Sequence, residues 1–558
     1  MYNPDRDQFH INEPEPKHVR RARIRLMIAA GMFALIFAVL AGRLVQLTLA
    51  PRDAASQSGK AGAAQTAWRR DITDRHGQIL ATDLKTSSLF ADARYVWDAQ
   101  EITAKVLQIF PDLDASQVHA RLASRQAFVW IKRQITPAQR EAVYRLGFPA
   151  LGFRDEPRRV YPLGALAAHV LGYVGVDNQG QAGLERGLND RLLDPQRTTE
   201  CLALSIDARA QYAVEAELQA AIQTFGALGA AGVVMDVHTG EILALASLPD
   251  FDPNSPPAPD DEVLFNRAAQ GVYEMGSTFK TFTTAMVLDS GKAGLNTLFD
   301  ARAPLAVGRF RISDFHPQAR KLTTAEVFEH SSNIGSARMA MLVGIDGHRE
   351  FLGKLGLLNR VAFELPEAGA PQAPRRWSHL HSMTISYGHG VAVNAVQLSA
   401  AAAAMVNGGR LHRPSVLRKP AGQTAGGEQV ISERTSAQIR DLLRAVVTKG
   451  TGKQAEVAGY PVGGKTGTAE KPRNGGYAES ALLTSFLANF PAHKPRYSVL
   501  VILDEPKPTK NTYGYATAGW NAAPAAGKII ARLGPILNVE VTTAEAGASP
   551  QTDNIKRH

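Results

Sequence analysis

The sequence predicts an α+β protein that follows a single N-terminal membrane helix. Three observations support this prediction. The chain is 45% hydrophobic and 20% charged, which is ordinary for a folded protein. One uncharged apolar run lies near the N-terminus, at residues 26–42. Beyond residue 204, strand-like runs occur at both ends of the region with helical patterns between them, which indicates an α+β layer fold.

The anchor is predicted at residues 26–49. Its uncharged part, at 1.5 Å per residue, spans about 25 Å, near the lower limit for crossing a bilayer. Basic residues precede it at Lys17, Arg20, Arg21, Arg23 and Arg25. The positive-inside rule therefore places residues 1–25 in the cytoplasm and the chain after about residue 50 outside the membrane. The run is too long for a signal-peptide core and no clear cleavage site ends it, which favours an uncleaved anchor over a signal peptide.

Composition divides the remaining chain. Residues 50–66 are small and polar and are predicted to be a linker. Residues 67–203 mix short strand-like and helical runs and form a first module, and residues 204–541 form a second. The tail at 542–558 is poor in apolar residues and is predicted to be disordered.

Charge and cysteine content exclude some functions. The chain has 62 basic and 52 acidic residues, a net charge of +10. No long Lys/Arg tract occurs in the bulk of the chain, and a single cysteine, Cys201, excludes zinc fingers and an intramolecular disulfide. We therefore expect no nucleic-acid partner, and the modest positive excess suits a protein near anionic lipid or an acidic polymer.

The second module begins with recognisable elements. The stretch AQYAVEAELQAAIQTFG has apolar residues at helical spacing and ends at Gly226. Two strand-like runs, GVVMDV and EILALAS, follow and are joined by His238-Thr239-Gly240, which predicts a hairpin. The runs SFLANF and YSVLVILDE predict further strands near the C-terminal end.

Ser277 is the first candidate for chemistry, because it begins the only S-x-x-K motif in the chain, Ser277-Thr278-Phe279-Lys280. If Ser277 opens the helical run that follows, Lys280 lies one turn along on the same face, and the helix N-terminus offers N–H groups to a developing oxyanion. A lysine is a useful base only when burial or a second cation lowers its pKa. Alone, the motif also fits a helix-capping serine with a surface lysine.

Two further motifs follow. Ser331-Ser332-Asn333 comes after the helical run TTAEVFEH, and Lys465-Thr466-Gly467-Thr468 enters a strand-like region. Each is weak alone, because S-x-N is common in turns and K-T-G is common in loops. The order S-x-x-K, S-x-N, K-T-G is much more specific, because penicillin-binding proteins and serine β-lactamases share it. His316 and His389 lie in loops, and we expect them to be structural.

With these motifs in order, the chain resembles the class B penicillin-binding proteins, and among them the FtsI-like septal peptidoglycan D,D-transpeptidases. Further segments that carry the resemblance are RRDITDRHG (69–77), RVYP (159–162), GLE (183–185) and GVVMDVHTGEILALAS (232–247). Arg70 stands where the family usually has Gly, and Met275 where many members have Pro. The resemblance implies an antiparallel sheet flanked by helices in residues 204–541, and a non-catalytic pedestal of the dimerisation type in residues 67–203.

The resemblance also implies roles for the motif residues. Ser277 attacks the D-Ala-D-Ala carbonyl and holds the acyl-enzyme, and Lys280 takes its proton. Lys465 is a second cation that depresses the pKa of Lys280 and attracts the substrate carboxylate. Ser331 relays a proton to the leaving D-Ala nitrogen, and Asn333 hydrogen-bonds the substrate amide.

The third motif is expected to hold the substrate. Thr466 and Thr468 supply hydroxyls for the terminal carboxylate, and Gly467 lets an extended peptide approach the strand. The N–H groups of Ser277 and Thr468 form the oxyanion hole. No cofactor or metal is implied. An amine on a neighbouring stem peptide then takes the acyl group, and β-lactams acylate Ser277.

Several alternatives remain open at this level. A β-lactamase would be about half this length, and the region before residue 204 is short for the glycosyltransferase of a bifunctional polymerase. A carboxypeptidase has the same motifs and hydrolyses the acyl-enzyme. A non-catalytic divisome scaffold or a β-lactam sensor is a further possibility. The septal role, with an FtsW-type polymerase and other divisome proteins as partners, is favoured over the elongation role by the short pedestal, the Ser-Ser-Asn motif and the overall length.

Overall fold

The structure, a computed structural model, describes residues 16–49, 67–197, 199–308, 310–420, 426–473 and 476–542. It divides the chain into two units, residues 1–65 and 66–558. The whole of the predicted linker, residues 50–66, lies outside the described residues. Residues 1–15 of the predicted cytoplasmic tail and residues 543–558 of the predicted C-terminal tail also lie outside them.

In the first unit, the described residues form one helix, Pro16–Leu49. Its segment Arg23–Ala41 has a mean hydropathy of 2.4 and is long and apolar enough to cross a membrane. The helix begins well before residue 26, where the anchor was predicted to start. Lys and Arg are good helix formers, so the basic flank continues the helix, and proline is well tolerated at the first helical position.

The predicted pedestal contains a five-stranded sheet. Its strands are β1 (Ile72–Thr73), β2 (Ile79–Ala91), β3 (Val129–Ile135), β4 (Leu151–Val160) and β5 (Leu202–Ala203). The order is β3-β2-β1-β5, with β4 also paired to β2. Its helices are Ala99–Ile109, Ala115–Ala123, Pro137–Tyr144, Ala168–Leu171, Gly183–Gly187 and Asn189–Leu192. The buried residues Ile102, Val106 and Leu122 of the first two helices pack in one core with β2 and β3.

A buried ion network explains why three distant segments of the pedestal carry charged motif residues. The Arg69 guanidinium lies 2.8 Å from Glu185 Oε2, and Arg159 Nε lies 2.7 Å from Glu185 Oε1. Arg159 also contacts Asp83 at 3.2 Å. All four side chains are at most 3% exposed. Charges this deeply buried are tolerated only when paired, so the network fixes how the three segments meet.

The second module is built on a five-stranded antiparallel sheet in the order β14-β15-β16-β6-β7. Its strands are β6 (Gly229–Asp236), β7 (Ile242–Leu248), β14 (Gly463–Arg473), β15 (Gly476–Phe490) and β16 (Tyr497–Asp504). Short pairs lie outside this sheet: β8 (Leu298–Asp300), β9 (Leu305–Val307), β10 (Phe310–Ile312), β11 (Lys321–Thr323), β12 (Arg410–Leu411) and β13 (Glu428–Gln429). The β6–β7 hairpin and the two late strands are found where the sequence predicts them.

Helices cover both faces of this sheet. On one face lie Ala208–Phe225, which ends at Gly226 as predicted, and Ala522–Ile536. On the other face, Ala395–Val406 is buried along its whole length. The remaining helices of the module are Lys280–Asp289, Thr324–Glu329, Asn333–Val343, Ile345–Lys354, His379–Ile385 and Glu433–Thr448. This is the α+β layer fold that the sequence predicts.

The pedestal contacts the second module through polar groups as well as apolar ones. The backbone N–H of Ala167 donates to Glu215 Oε1 at 3.0 Å. The N–H of Tyr161 donates to Asn254 Oδ1 at 2.9 Å, and His169 Nε2 lies 2.8 Å from the carbonyl of Val263. Burial raises the pKa of Glu215 to about 7. This carboxyl therefore keeps its proton far more readily than an exposed glutamate does.

Candidate active site

Ser277 lies in a single 3-10 turn, Gly276–Phe279, immediately before the helix Lys280–Asp289. If Ser277 opened the helix, Lys280 would lie one turn along it; the structure instead makes Lys280 the first residue of the helix. Gly276 has φ +54°, and a Cβ there would lie 2.6 Å from the carbonyl oxygen of Thr468. Only glycine suits both the backbone and the space. The backbones of the first and third motifs are therefore adjacent beside Ser277.

Lys280 joins the first motif to the second. Its side chain is fully buried. Its Nζ lies 3.0 Å from Ser331 Oγ, 2.7 Å from Asn333 Oδ1 and 2.5 Å from the carbonyl oxygen of Ser331. A buried amine needs such partners, because an unsatisfied polar group in a protein interior is costly. These contacts aim the amine at the Ser331 hydroxyl.

Lys465 reaches the same hydroxyl from the sheet. It lies on β14, is fully buried, and places its Nζ 3.0 Å from Ser331 Oγ. The Nζ also lies 5.9 Å from the centre of the Phe328 ring. Ser331 Oγ is thus within hydrogen-bond distance of two lysine nitrogens. A hydroxyl can accept one hydrogen bond and donate another, so it can link them.

The two lysines have lowered pKa values. Burial lowers the pKa of Lys465 to about 7. Burial, and then the charge of Lys465, hold the pKa of Lys280 well below its usual value. Two cations this close are unfavourable in a buried site, which favours the loss of a proton from one of the two amines. One lysine is then neutral and able to accept a proton.

The turn that carries Ser331 is strained and is held by a residue that the sequence analysis did not identify. Ser331 has φ +57°, in the left-handed region. Asp314 accepts hydrogen bonds from Ser332 Oγ at 2.7 Å and from the N–H of Ile334 at 3.0 Å. Asn333 Nδ2 donates to the carbonyl of Ser313 at 3.0 Å. Asp314 also opposes the lowering of the pKa of Lys280.

The third motif lies on β14 at one edge of the main sheet. Thr466 Oγ1 lies 2.7 Å from Thr451 Oγ1, and Thr468 Oγ1 accepts from the N–H of Ala518 at 3.1 Å. The reason predicted for Gly467 was room for the substrate, and the structure gives another. A Cβ on Gly467 would lie 2.5 Å from the carbonyl oxygen of Met275, so the missing side chain makes room for the turn that carries Ser277.

A cavity of about 740 Å³ lies above these groups. Five of the predicted site residues line it: Ser277, Ser331, Asn333, Thr466 and Thr468. Lys280 and Lys465 are fully buried, and their amines contact Ser331, which lines the cavity. Gly467 lies between Thr466 and Thr468 on β14 and packs against the Met275 carbonyl. The structure thus brings all eight predicted residues together around one cavity.

Two histidines that we expected to be purely structural also line this cavity. They are His316 and His389. Burial, and then the nearby Lys280, lower the pKa of His389, which favours the neutral imidazole. The residues next to these two histidines in the sequence form no motif that would predict a place in the cavity wall. Among the residues that the structure describes, no group of three or more His, Cys, Asp or Glu side chains is arranged to hold a metal ion.

Comparisons with known proteins agree with this geometry. The family described as "Penicillin binding protein transpeptidase domain" matches residues 230–531, and "Penicillin-binding Protein dimerisation domain" matches residues 64–193. The chain is 41% identical over 536 residues to "Probable peptidoglycan D,D-transpeptidase FtsI" of Caulobacter vibrioides, covering 93% of this chain and 90% of the relative. It is 32% identical to "Probable peptidoglycan D,D-transpeptidase PenA" of Neisseria gonorrhoeae, covering 97% of both chains.

Solved structures share the fold. A peptidoglycan synthetase from Bifidobacterium adolescentis superposes with a TM-score of 0.68 at 21% identity, covering 88% of this chain and 98% of that one. Penicillin binding protein 3 from Mycobacterium tuberculosis, solved with aztreonam, gives 0.67 at 24% identity, covering 86% and 98%.

The chain belongs to the penicillin-binding protein transpeptidase family. Its dimerisation-domain match and its FtsI-named relatives make it a class B, FtsI-like member. The resemblance drawn from the motifs is thereby confirmed, as is the fold class. The identity of the individual site residues stays a prediction, which the geometry above supports.

Proposed function

We propose that this chain is a serine-type peptidoglycan D,D-transpeptidase that cross-links stem peptides of the cell wall. The observation that carries the proposal is the position of Ser331 Oγ, 3.0 Å from each of two buried lysine amines. Ser331 lines the same cavity as Ser277. Two buried amines joined by a hydroxyl supply a base and an acid at one place, as acyl transfer requires.

The reaction begins with the transfer of the Ser277 hydroxyl proton to the neutral Lys280 as Ser277 Oγ bonds to the substrate carbonyl carbon. The N–H groups of Ser277 and Thr468 stabilise the oxyanion of the tetrahedral intermediate. When this intermediate collapses, the C–N bond to the terminal D-Ala breaks. Ser331 passes a proton from the lysine pair to the leaving nitrogen, and D-Ala departs as an amine.

The second half runs the same steps in reverse with a different amine. An amine on a neighbouring stem peptide attacks the acyl-enzyme, loses a proton to the lysine pair, and forms the new amide. The Ser277–acyl bond breaks and Ser277 regains its proton. A carboxypeptidase would use water in place of the amine, and we propose transfer as the main outcome, with hydrolysis as a side reaction.

Acylation by a fluorescent penicillin tests the serine mechanism. We expect the full-length chain in detergent to be labelled and Ser277→Ala to lose the label. Ser290→Ala is the matched control, because Ser290 is an exposed serine at the end of the same helix. An unlabelled wild type, or a Ser277→Ala variant labelled as strongly as the control, would overturn the mechanism. Of these two results, the unlabelled wild type would favour a scaffold without enzymatic activity.

We propose that the enzyme works at the division septum. The FtsI names of its relatives support this role over elongation. FtsW-type polymerases and other divisome proteins are then the proposed partners. Depletion in the host tests the role, because filamentous cells indicate division and round cells indicate elongation.

We also propose the arrangement of the chain about the membrane. The basic residues before the apolar segment favour a cytoplasmic N-terminus and a catalytic module on the outer face. The proposed division is a tail at 1–25, an anchor at 26–49, a linker at 50–66, a pedestal at 67–203, a transpeptidase domain at 204–541 and a tail at 542–558. A reporter fused to the C-terminus that is active only outside the cytoplasm tests this orientation.

A further inference from the structure

Strand β14 presents three side chains to the catalytic cavity at every second position. Thr466, Thr468 and Glu470 line the cavity, whereas Lys465 is fully buried and Ala469 is 3% exposed. Alternation of this kind follows from strand geometry, because successive side chains point to opposite faces. Glu470 therefore continues the row formed by the two threonines that are proposed to hold the substrate.

Glu470 differs in charge from the rest of the cavity wall. It is the only Asp or Glu among the described residues that line the cavity. Glu470 is partly buried and its backbone pairs with Leu482, but within the described part of the chain its carboxylate has no hydrogen bond or ion pair. The next residue, Lys471, places its Nζ 2.7 Å from Asp504 and 3.1 Å from Glu505. The one lysine adjacent in sequence is thus already neutralised by other carboxylates.

The proposed donor site fixes which part of a substrate reaches Glu470. The terminal carboxylate is assigned to the hydroxyls of Thr466 and Thr468, and the scissile carbonyl to the N–H groups of Ser277 and Thr468. These two points set the direction of the bound peptide, from its C-terminus near Thr466 to its upstream residues beyond Thr468. Two strand residues span about 7 Å, so Glu470 lies beside the residues upstream of the scissile bond.

We propose that Glu470 binds an ammonium group carried by the donor peptide upstream of the D-Ala-D-Ala bond. This inference rests on the proposed function, in which stem peptides carry the amine that accepts the acyl group. A donor stem is built in the same way as an acceptor stem and carries the same amine. A carboxylate without a partner in a half-buried cleft is where a substrate ammonium gains most from pairing.

Three penicillins that differ only at the side-chain α-carbon test the proposal. Ampicillin carries an ammonium there, benzylpenicillin a hydrogen and carbenicillin a carboxylate, and at about pH 7 an α-amino group is mostly protonated. The second-order rate of acylation is measured for each with the full-length chain. We expect wild type to favour ampicillin over benzylpenicillin and benzylpenicillin over carbenicillin, by about threefold per charge, as for a partly exposed ion pair.

Variants at Glu470 separate this preference from other causes. We expect Glu470→Gln to remove the dependence on the charge of the penicillin, and Glu470→Lys to reverse it. Glu428→Gln is the matched control, because Glu428 is an exposed carboxylate on β13. It should keep the wild-type order. If Glu470→Gln keeps the wild-type order as well, Glu470 does not cause the dependence of acylation on ligand charge and the proposal is wrong.

The wild-type order alone also tests the proposal if a variant does not fold. Carbenicillin reacting as fast as ampicillin with wild type would overturn it. A donor peptide with its side-chain amine free, compared with the same peptide acetylated, gives a second test. We expect acetylation to raise KM in wild type more than in Glu470→Gln. Failure of benzylpenicillin to acylate wild type at all would refute the proposed function itself, which distinguishes the two failures.

Discussion

Replacing Asp314 by Asn tests whether the Ser331 turn must be held for catalysis. Asp314 is 9% exposed and accepts hydrogen bonds from Ser332 Oγ at 2.7 Å and from the N–H of Ile334 at 3.0 Å. Ser331, with φ +57°, lies after the helix Thr324–Glu329 and directly before the segment that Asp314 holds. The Asn side chain has nearly the same shape but only one acceptor oxygen, and it carries no charge.

The expected magnitude follows from these two bonds. A hydrogen bond to a charged group contributes about 1.5–3 kcal/mol to stability. Asn can keep one of the two bonds without its charge and must lose the other, so we expect the variant to lose about 2–3 kcal/mol of unfolding free energy. The left-handed backbone at Ser331 costs roughly 1–2 kcal/mol, which Asp314 no longer helps to offset. A comparable increase of about 2–3 kcal/mol in the barrier to acylation would slow it by about 30- to 160-fold.

The assay is the second-order rate of acylation by benzylpenicillin, with thermal unfolding measured alongside. Asp300→Asn is the control, because Asp300 lies 2.7 Å from Arg302 in a largely exposed pair, and such pairs contribute little. The informative comparison adds Ser331→Ala. If Asp314 acts through Ser331, Asp314→Asn should slow acylation much less in the Ser331→Ala background, while its effect on stability remains.

Two results would refute this reasoning. The first is an Asp314→Asn variant that is acylated within about twofold of wild type, a difference of less than half a kcal/mol. The second is a loss of acylation rate that is equally large with and without the Ser331 hydroxyl. In that case Asp314 would act on Lys280 or on the fold in general, and not by positioning Ser331.

Three further predictions concern ionisable groups. Because burial lowers the pKa of Lys465 to about 7, its amine loses its charge as pH rises through about 7. Acylation by benzylpenicillin, whose carboxylate that charge is proposed to attract, should therefore fall as pH rises from about 6 to 8, and a flat rate over this range would contradict the prediction. Glu185→Gln should lower the unfolding free energy of the pedestal by about 3–5 kcal/mol, since it removes the carboxylate that the buried Arg69 and Arg159 share and leaves Arg159 paired with Asp83 alone, whereas Glu141→Gln should change it by less than about 0.5 kcal/mol. Both are measured by denaturant unfolding. The folded-state pKa of Glu215, about 7, lies above the ordinary value of 4.5, so the folded state binds the proton more tightly and stability is lost as pH rises from about 4.5 to 7. Glu215→Gln should remove about 1–3 kcal/mol of this loss, and unchanged pH dependence of the unfolding midpoint would contradict it.

Elements whose conformation depends on a few neighbouring residues could be predicted from the sequence. The β6–β7 hairpin was predictable because a turn tripeptide joins two apolar runs, and Gly240 has φ +73° with the carbonyl oxygen of Arg413 2.7 Å from where a Cβ would lie. The end of the helix at Gly226 was predictable because that residue takes φ +56°, which glycine adopts without strain. These features depend on a few neighbouring residues.

The features that were missed depend on contacts between distant segments. Asp314 reaches Ser332 across 18 positions, and its own surroundings, SDFHP, carry no capping or catalytic pattern. His316 and His389 enter the cavity wall only because of where their loops fold. The role of Gly467 in packing against Met275 could not be separated in the sequence from a role in substrate binding, since both require a missing side chain.

The convergence on Ser331 explains why the three motifs are weak singly and specific together. Lys280 is fixed by a helix that is buried from Lys280 to Leu288, Lys465 by the edge strand of the main sheet, and Ser331 by a turn that Asp314 holds. No two of these elements are adjacent in the chain, so each must be placed by the packed core. Burying two amines destabilises the fold unless they share partners, and the shared hydroxyl together with the nearby carboxylate of Asp314 reduces that cost. The same burial lowers the pKa of both amines, which favours the neutral base that the proposed mechanism needs. The contacts that make the buried pair tolerable are therefore the same contacts that the proposed mechanism uses, and a sequence that kept only two of the motifs would lack one of them.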